Sequence, residues 1–217
     1  MNRPRVFVAD DHKLLADGLR KVLEPACEVV GMAANGRELI KEAPAAKPDV
    51  ILLDISMPLL NGLDAARQLR RILPQAKLII ITMNEDPDLA SAAFELGVSG
   101  YLLKSSAAID LVQAIHIALE GGQYVAPSIR EGLEQSFVRW GSTHRPSRPL
   151  TSRQREIVQL LAEGHTMKEA ARVLKVTPRT VAFHKYRVME LHGLKSNADL
   201  IQLALGLKLI ATAPRPC

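Results

Sequence analysis

Val50-Ile51-Leu52-Leu53-Asp54 is an aliphatic run that stops on a carboxylate, and Met57-Pro58 and Asn61-Gly62 follow it before a new apolar segment opens at Leu63. A strand with no polar face must be covered on both sides, which is the situation inside a parallel sheet. Pro and Asn-Gly supply turn chemistry, and Leu63–Leu73 carries its apolar residues at helical spacing. One strand, one loop opening on an aspartate and one helix make a single βα unit.

The same unit recurs on either side. Strand-like runs are expected at Arg5–Ala9, Glu28–Ala33, Asp49–Leu53, Lys77–Thr82 and Gly100–Leu103. Helical patterns lie between and after them: Leu14, Leu15, Leu19, Val22 and Leu23, then Arg37–Ala43, Leu63–Leu73, Asp88–Leu96 and Ile109–Leu119. Five βα units in residues 1–122 predict an α/β fold, a flavodoxin-like doubly wound sheet of five parallel strands. Its sites lie at the carboxyl ends of the strands.

Beyond Gly121-Gly122 the pattern breaks. Residues 123–149 are expected to form a linker with one helix at Pro127–Gln135, ending in the extended stretch Gly141–Pro149. Residues 150–211 then read as helix throughout. Thr151 with Gln154, and Thr166 with Glu169, have the form of capping boxes. Thr177-Pro178 offers an N-cap followed by Pro at the first helical position, and Ser196 with Asp199 opens a fourth helix. The second half is therefore predicted to be a small all-α domain of four helices, with residues 212–217 as a flexible tail.

Charge divides the chain at the same place. Residues 1–120 carry 13 Lys and Arg against 16 Asp and Glu, a net of −3, whereas residues 121–217 carry 15 against 7, a net of +8. A basic half joined to a mildly acidic one points to a polyanionic partner for the C-terminal part, with DNA the first candidate. No apolar run approaches the ~20 residues needed to cross a bilayer, and the N-terminus lacks the form of a signal peptide. The cysteines, Cys27 and Cys217, make neither a disulfide framework nor a zinc site. A cytoplasmic protein without membrane contact is expected.

Strand ends carry the chemistry. Asp10 and Asp11 follow the first strand, Asp54 ends the third, Thr82 ends the fourth and Lys104 follows the fifth. A doubly wound sheet brings these ends together, so three carboxylates and one ammonium converge. Crowded carboxylates raise one another's pKa unless a cation joins them, and a hard oxygen pocket suits Mg²⁺. Asp54 then becomes a nucleophile for phosphoryl transfer, with Mg²⁺ and Lys104 neutralising the developing charge and Thr82 hydrogen-bonding a phosphoryl oxygen. Each element has an ordinary reading alone: Asp-Asp commonly caps a helix, and a lysine after a strand is usually solvated.

Asp10-Asp11, the stretch from Asp54 to Gly62, Thr82 and Gly100-Tyr101 with Lys104 resemble the response-regulator receiver family, in order and from residue 5 to about 120. The resemblance implies Asp54 as phosphoacceptor, Asp10 and Asp11 as the metal pair, the Ser56 backbone carbonyl as a further metal contact, and Thr82 with Tyr101 as a switch pair. It implies that Tyr101 turns inward when Asp54 is phosphorylated. Ser105 stands where many receivers have proline.

In the second half, Met167–Leu174 and Val181–Leu191 are joined by a tight link, with Ala170, Ala171, Leu174, Val181 and Val188 on inner faces. Small Ala-Ala packing suits a helix-turn-helix, whose second helix enters the major groove. Its outer face offers Arg179, Thr180, Phe183, His184, Lys185, Tyr186 and Arg187, and Phe183 could pack on a thymine methyl. Lys195 and Ser196 are candidates for contacts to the DNA backbone. Leu150-Thr151, Glu156, Ala162 with Gly164, Lys168-Glu169 with Ala171, Val176, Thr180-Val181, His184, Leu191 and Leu194 resemble the LuxR-type DNA-binding domain. Ala182 and Ala198 depart from residues common there. End to end, the chain is similar to the NarL/FixJ class of two-component response regulators.

That resemblance implies a non-enzymatic transcription regulator. A histidine kinase phosphorylates Asp54, the chain dimerises, and the dimer binds an inverted-repeat operator, with RNA polymerase as a further candidate partner. Leu200, Leu203, Ala204 and Leu207 form a stripe that would pair across the two-fold axis. Two alternatives stand beside it: a receiver-type regulator that works without phosphorylation, and a phosphatase of the haloacid-dehalogenase type. Such a phosphatase needs a second Asp two residues beyond the nucleophile, where this chain has Ser56.

Overall fold

The computed structural model describes residues 3–130, 132–133 and 149–210, which fall into two compact units. The first runs β1 (Arg5–Ala9), α1 (Lys13–Leu23), β2 (Glu28–Ala33), α2 (Gly36–Ala46), β3 (Val50–Leu53), α3 (Gly62–Ile72), β4 (Lys77–Thr82), α4 (Pro87–Glu95), β5 (Gly100–Leu103), α5 (Ala107–Leu119) and β6 (Tyr124–Val125). The strand order is β2-β1-β3-β4-β5-β6, every neighbouring pair parallel. Its first five strands have the flavodoxin-like order, in which the chain reverses direction between β1 and β3.

Both faces of the central strands are buried, as their composition demands. Val6, Val8, Val50, Leu52, Ile79, Ile81 and Leu102 share one apolar cluster with Ala16, Leu19 and Leu23 of α1 and Leu111, Ala114 and Ile115 of α5. The alternate residues, among them Ile51, Leu53, Leu78 and Ile80, face the other way and are equally buried. On that side α2 contacts β1 and α3, and α4 contacts β5. At the β1–β2 pairing Phe7 lies opposite Gly31, where a Cβ would come within 2.3 Å of the ring. The strand register shifts beside that pair.

The sheet has six strands, one more than the repeat predicts. Tyr124–Val125 adds beside β5, with Gly100 opposite Tyr124, inside the stretch expected to be linker. Two residues are too few to show a period, and their pairing depends on the exposed edge that β5 offers. Residues 127–130 and 132–133 are helical, as expected for part of Pro127–Gln135. The rest of that helix, most of Gly141–Pro149 and the tail at 212–217 lie outside the described residues.

The second unit contains α6 (Ser152–Ala162), α7 (Met167–Leu174), α8 (Pro178–His192) and α9 (Asn197–Gly206). Thr151 with Gln154, Thr166 with Glu169 and Ser196 with Asp199 form complete capping boxes, and Thr177 caps α8 ahead of Pro178. Each satisfies backbone N–H groups that a helix start leaves without partners. Lys175 ends α7 in the left-handed region at φ 53°, with Val176 N–H donating to the Ala171 carbonyl. Ala170, Ala171, Leu174, Val181 and Val188 are all buried, as expected.

One expectation for this half is narrowed. Leu200 and Ala204 are buried in a cluster with Val158 and Val188, and Leu203 and Leu207 pack against it. Leu200 and Ala204 of the stripe meant for a two-fold contact are thus taken up by their own domain, while Leu203 and Leu207 stay half-buried.

Candidate acidic site and nucleic-acid interface

The strand order sets the acidic site. Asp10 leaves β1 and Asp54 leaves β3, neighbours at the point where the order reverses, and backbone bonds fix both: Asp10 N–H donates to Ala33 O, Asp54 N–H to Ala9 O. Lys104 leaves β5 with its N–H on Thr82 O, which ties it to the end of β4. Its side chain, only 4% exposed, places Nζ 2.7 Å from Asp10 Oδ2 and 3.0 Å from Asp54 Oδ2. The lysine is thus the buried partner of two buried carboxylates, not a solvated one.

Burial raises the Asp54 pKa, and the neighbouring charge of Asp10 adds to this, while Lys104 and a hydrogen bond from the Ser56 backbone pull the other way. Burial opposes the Lys104 ammonium, but Asp54 and Asp10 together outweigh it and hold its pKa above the ordinary value. Two carboxylates on one cation leave negative charge in excess.

Asp11 is at the rim, and His12 joins the group, which the sequence reading missed. Its Nδ1 lies 3.3 Å from Asp10 Oδ1 and 3.1 Å from Asp11 Oδ1, and its backbone N–H donates to Asp10 Oδ1 at 2.8 Å. Asp10, Asp11, His12 and Asp54 each offer a ligand atom within 4.8 Å of the others. The signal was its adjacency to Asp10-Asp11. His12 stands at the N-cap position of α1 without a side-chain cap bond.

The loop after Asp54 is shaped by Asn61 and Gly62. A Cβ on Gly62 would lie 2.1 Å from the Asp54 carbonyl oxygen, so no other residue fits there without moving the phosphoacceptor candidate. Asn61 caps α3 through Asp64 N–H and also donates to the buried Asp64 carboxylate, which pairs with Arg67.

Thr82 and Tyr101 meet at one residue. Thr82 Oγ1 accepts from Asn84 N–H at 3.1 Å, and Tyr101 OH donates to Asn84 O at 3.1 Å. Tyr101 is fully buried, and burial followed by the charge of Asp54 raises its pKa. Tyr101 is already turned inward here, with its hydroxyl bonded to Asn84 O.

In the helical unit, Arg179, Phe183, Tyr186 and Arg187 are exposed, while Thr180, His184 and Lys185 are half-buried. Thr180 Oγ1 lies 2.9 Å from Thr177 Oγ1 within the cap. Lys195 is exposed; the Ser196 hydroxyl accepts from Asp199 N–H, so it serves its own helix. Among the described residues, no helix is long and apolar enough to cross a membrane.

A doubly wound sheet with its acidic site at the switch point, followed by a helix-turn-helix bundle, is the build of a two-domain regulator. Residues 6–116 match the response regulator receiver domain, and residues 148–204 match the bacterial regulatory proteins of the luxR family. The chain belongs to the response regulators that join a receiver to a LuxR-type domain. It is 33% identical to the oxygen regulatory protein NreC of Staphylococcus carnosus, over 95% of this chain and 99% of the relative. The response regulator GacA of Pseudomonas aeruginosa is 31% identical, over 93% and 95%. The RcsB response regulator of Salmonella typhimurium, of solved structure, matches at 29% identity and a TM-score of 0.64, covering 95% of this chain and 99% of RcsB. In another structure, two RcsB dimers are bound to two parallel DNAs, with 28% identity, a TM-score of 0.58 and coverage of 93% and 97%.

Proposed function

We propose that Asp54 accepts a phosphoryl group from the phosphohistidine of a histidine kinase, or from acetyl phosphate, and that this controls sequence-specific DNA binding by the helical half. The observation that carries it is Lys104 Nζ held between the buried Asp10 and Asp54 carboxylates. An Asp54 oxygen attacks phosphorus, the new O–P bond forms as the P–N bond breaks, and the histidine ring keeps the electron pair. Asp10, Asp11, Asp54 and the Ser56 carbonyl would hold Mg²⁺, which would supply positive charge toward the phosphoryl oxygens and offset the excess carboxylate charge. Asp10, Asp11 and Asp54 suit it as hard oxygen donors, and their ligand atoms are close enough to share an ion. Lys104 neutralises a second phosphoryl oxygen. Thr82, which accepts from Asn84, keeps its own O–H to donate to a third.

The readout follows from Asn84. Drawing Thr82 toward a phosphoryl group alters one of the two bonds that Thr82 and Tyr101 make to that residue, and so biases the adjoining α4–β5 face. This shift promotes dimerisation, and the dimer reads an inverted repeat, a reading supported by the DNA-bound RcsB dimers. Arg179, Thr180, Phe183, His184, Lys185, Arg187, Lys195 and Ser196 serve the DNA contact; RNA polymerase is a further partner, and the cytoplasm the place of action. The chain is not an enzyme beyond its own phosphorylation.

Intact-mass measurement after acetyl phosphate and Mg²⁺ should show one added phosphoryl group on the native chain and none on Asp54→Asn. Equal labelling of both would remove Asp54 from the role. A native chain that takes no phosphoryl group yet binds its operator would favour the phosphorylation-independent reading.

A further inference from the structure

We propose that Phe183 and Tyr186 form a two-ring platform that selects thymine, through its 5-methyl group, at neighbouring positions of the bound DNA. This rests on the DNA-binding reading of α8 and specifies what that helix reads. Val181 and Val188 are buried and fix the inner face of α8. At ~100° per residue, the opposite face presents Arg179, Phe183, Tyr186, Arg187 and Glu190, all exposed. Phe183 is 66% and Tyr186 60% exposed. Nothing in the domain's own packing accounts for two bared aromatic rings on one face, and such patches mark contact surfaces.

The rings are held by their neighbours. His184 meets Phe183 edge to face, at 5.3 Å between centroids and 74° between planes. Lys185 places Nζ 5.6 Å from the Tyr186 ring centroid. Lys185 is therefore half-buried and turned to a ring, and Arg187 pairs with Glu190 at 2.9 Å. Ala182 adds no donor. The middle turn of the outward face is thus aromatic, with Arg179 one turn toward the helix start and Arg187 to one side.

In the major groove thymine alone presents a methyl group, and apolar side chains recognise it by contact. Phenylalanine has no donor with which to read a base in any other way. Residues three apart on a helix rise by about 4.5 Å, close to the roughly 3.4 Å step between bases along a strand, so the two rings reach adjacent base pairs. Arg179 at the edge of the platform is placed for phosphate.

The test uses the full chain with acetyl phosphate and Mg²⁺. A site is enriched from random duplexes, and each thymine in it is then replaced singly by uracil, which removes only the methyl. Uracil at two neighbouring positions should weaken binding by about fourfold each, the factor expected for one buried methyl at ~0.8 kcal/mol. Phe183→Ala should abolish the loss at one position and Tyr186→Ala at the other, with thermal unfolding unchanged because both rings are exposed. Phe183→Leu, still apolar, should retain the methyl effect. An enriched site that tolerates uracil everywhere overturns the platform and leaves DNA binding standing, as does a uracil effect that survives in both alanine variants. If no duplex is enriched, the DNA-binding reading falls and the platform with it.

Discussion

In the α/β half, Asp10 and Asp54 are buried around one lysine and burial raises the Asp54 pKa. In the helical half, Glu169 and Asp199 accept backbone N–H groups at helix starts, bonds that hold their pKa values below the ordinary range. Gathering carboxylates in one pocket opposes the ionised form of Asp54, and on the proposed function it serves a cation and a phosphoryl group. Spreading them over helix caps completes hydrogen bonds that the chain needs in any case. One unit crowds its carboxylates around a lysine, and the other uses the same residue types to complete its helix starts.

The largest effect should come from Lys104→Met. It leaves Asp10 and Asp54 buried without their cation, and calorimetry without Mg²⁺ should show the α/β transition destabilised by ~3–5 kcal/mol. Added Mg²⁺ should return much of that loss; no recovery would break the metal reading of the pocket.

Gly62→Ala comes next, because its Cβ falls 2.1 Å from the Asp54 carbonyl oxygen. Overpacking of this kind costs about 1–3 kcal/mol. It should also slow labelling at Asp54, whereas a variant labelled at the native rate would show the loop to be more pliant than its geometry implies.

Thr166→Ala removes one capping box and should cost the helical transition ~1 kcal/mol while Asp54 labels normally. The pH response separates the halves further. Glu169 and Asp199 have folded pKa values depressed from 4.5 and 3.8, so their stabilisation is present above those values and is lost as pH falls through the folded ones. Asp54 has a folded pKa raised from 3.8, so folding takes up a proton there and stability falls as pH rises through the window above 3.8. In the absence of Mg²⁺, acidification through that window should therefore narrow the stability difference between the native chain and Asp54→Asn. A difference that stays constant would contradict the raised pKa.

The smallest effect is expected at the α7–α8 turn. Lys175 holds φ 53°, and left-handed backbone costs an ordinary residue roughly 1–2 kcal/mol. Lys175→Gly should raise the helical transition by less than ~1 kcal/mol, since glycine loses more entropy on folding.

Much of this molecule is written in local pattern. Val50-Ile51-Leu52-Leu53 could only be a strand covered on two faces, and Thr166 with Glu169 or Ser196 with Asp199 could only mark helix starts, because period and capping act within a few residues. Asp10, Asp54 and Lys104 were legible as one site because strand order in a doubly wound sheet brings strand ends together. What the sequence left open depended on partners distant along the chain. Tyr124–Val125 is a strand only because β5 has a free edge. Leu200 and Ala204, half of the stripe read as a dimer face, are buried with Val158 and Val188. Tyr101 was expected to wait outside, but Asn84 O holds its hydroxyl within. On α8 the sequence offered donors and aromatics together on the outer face, and packing turned Lys185 toward the Tyr186 ring and left Phe183 and Tyr186 exposed. Periodicity identifies the apolar face of an element; which surface covers that face, and which side chains are left on the far one, is decided only when the elements pack.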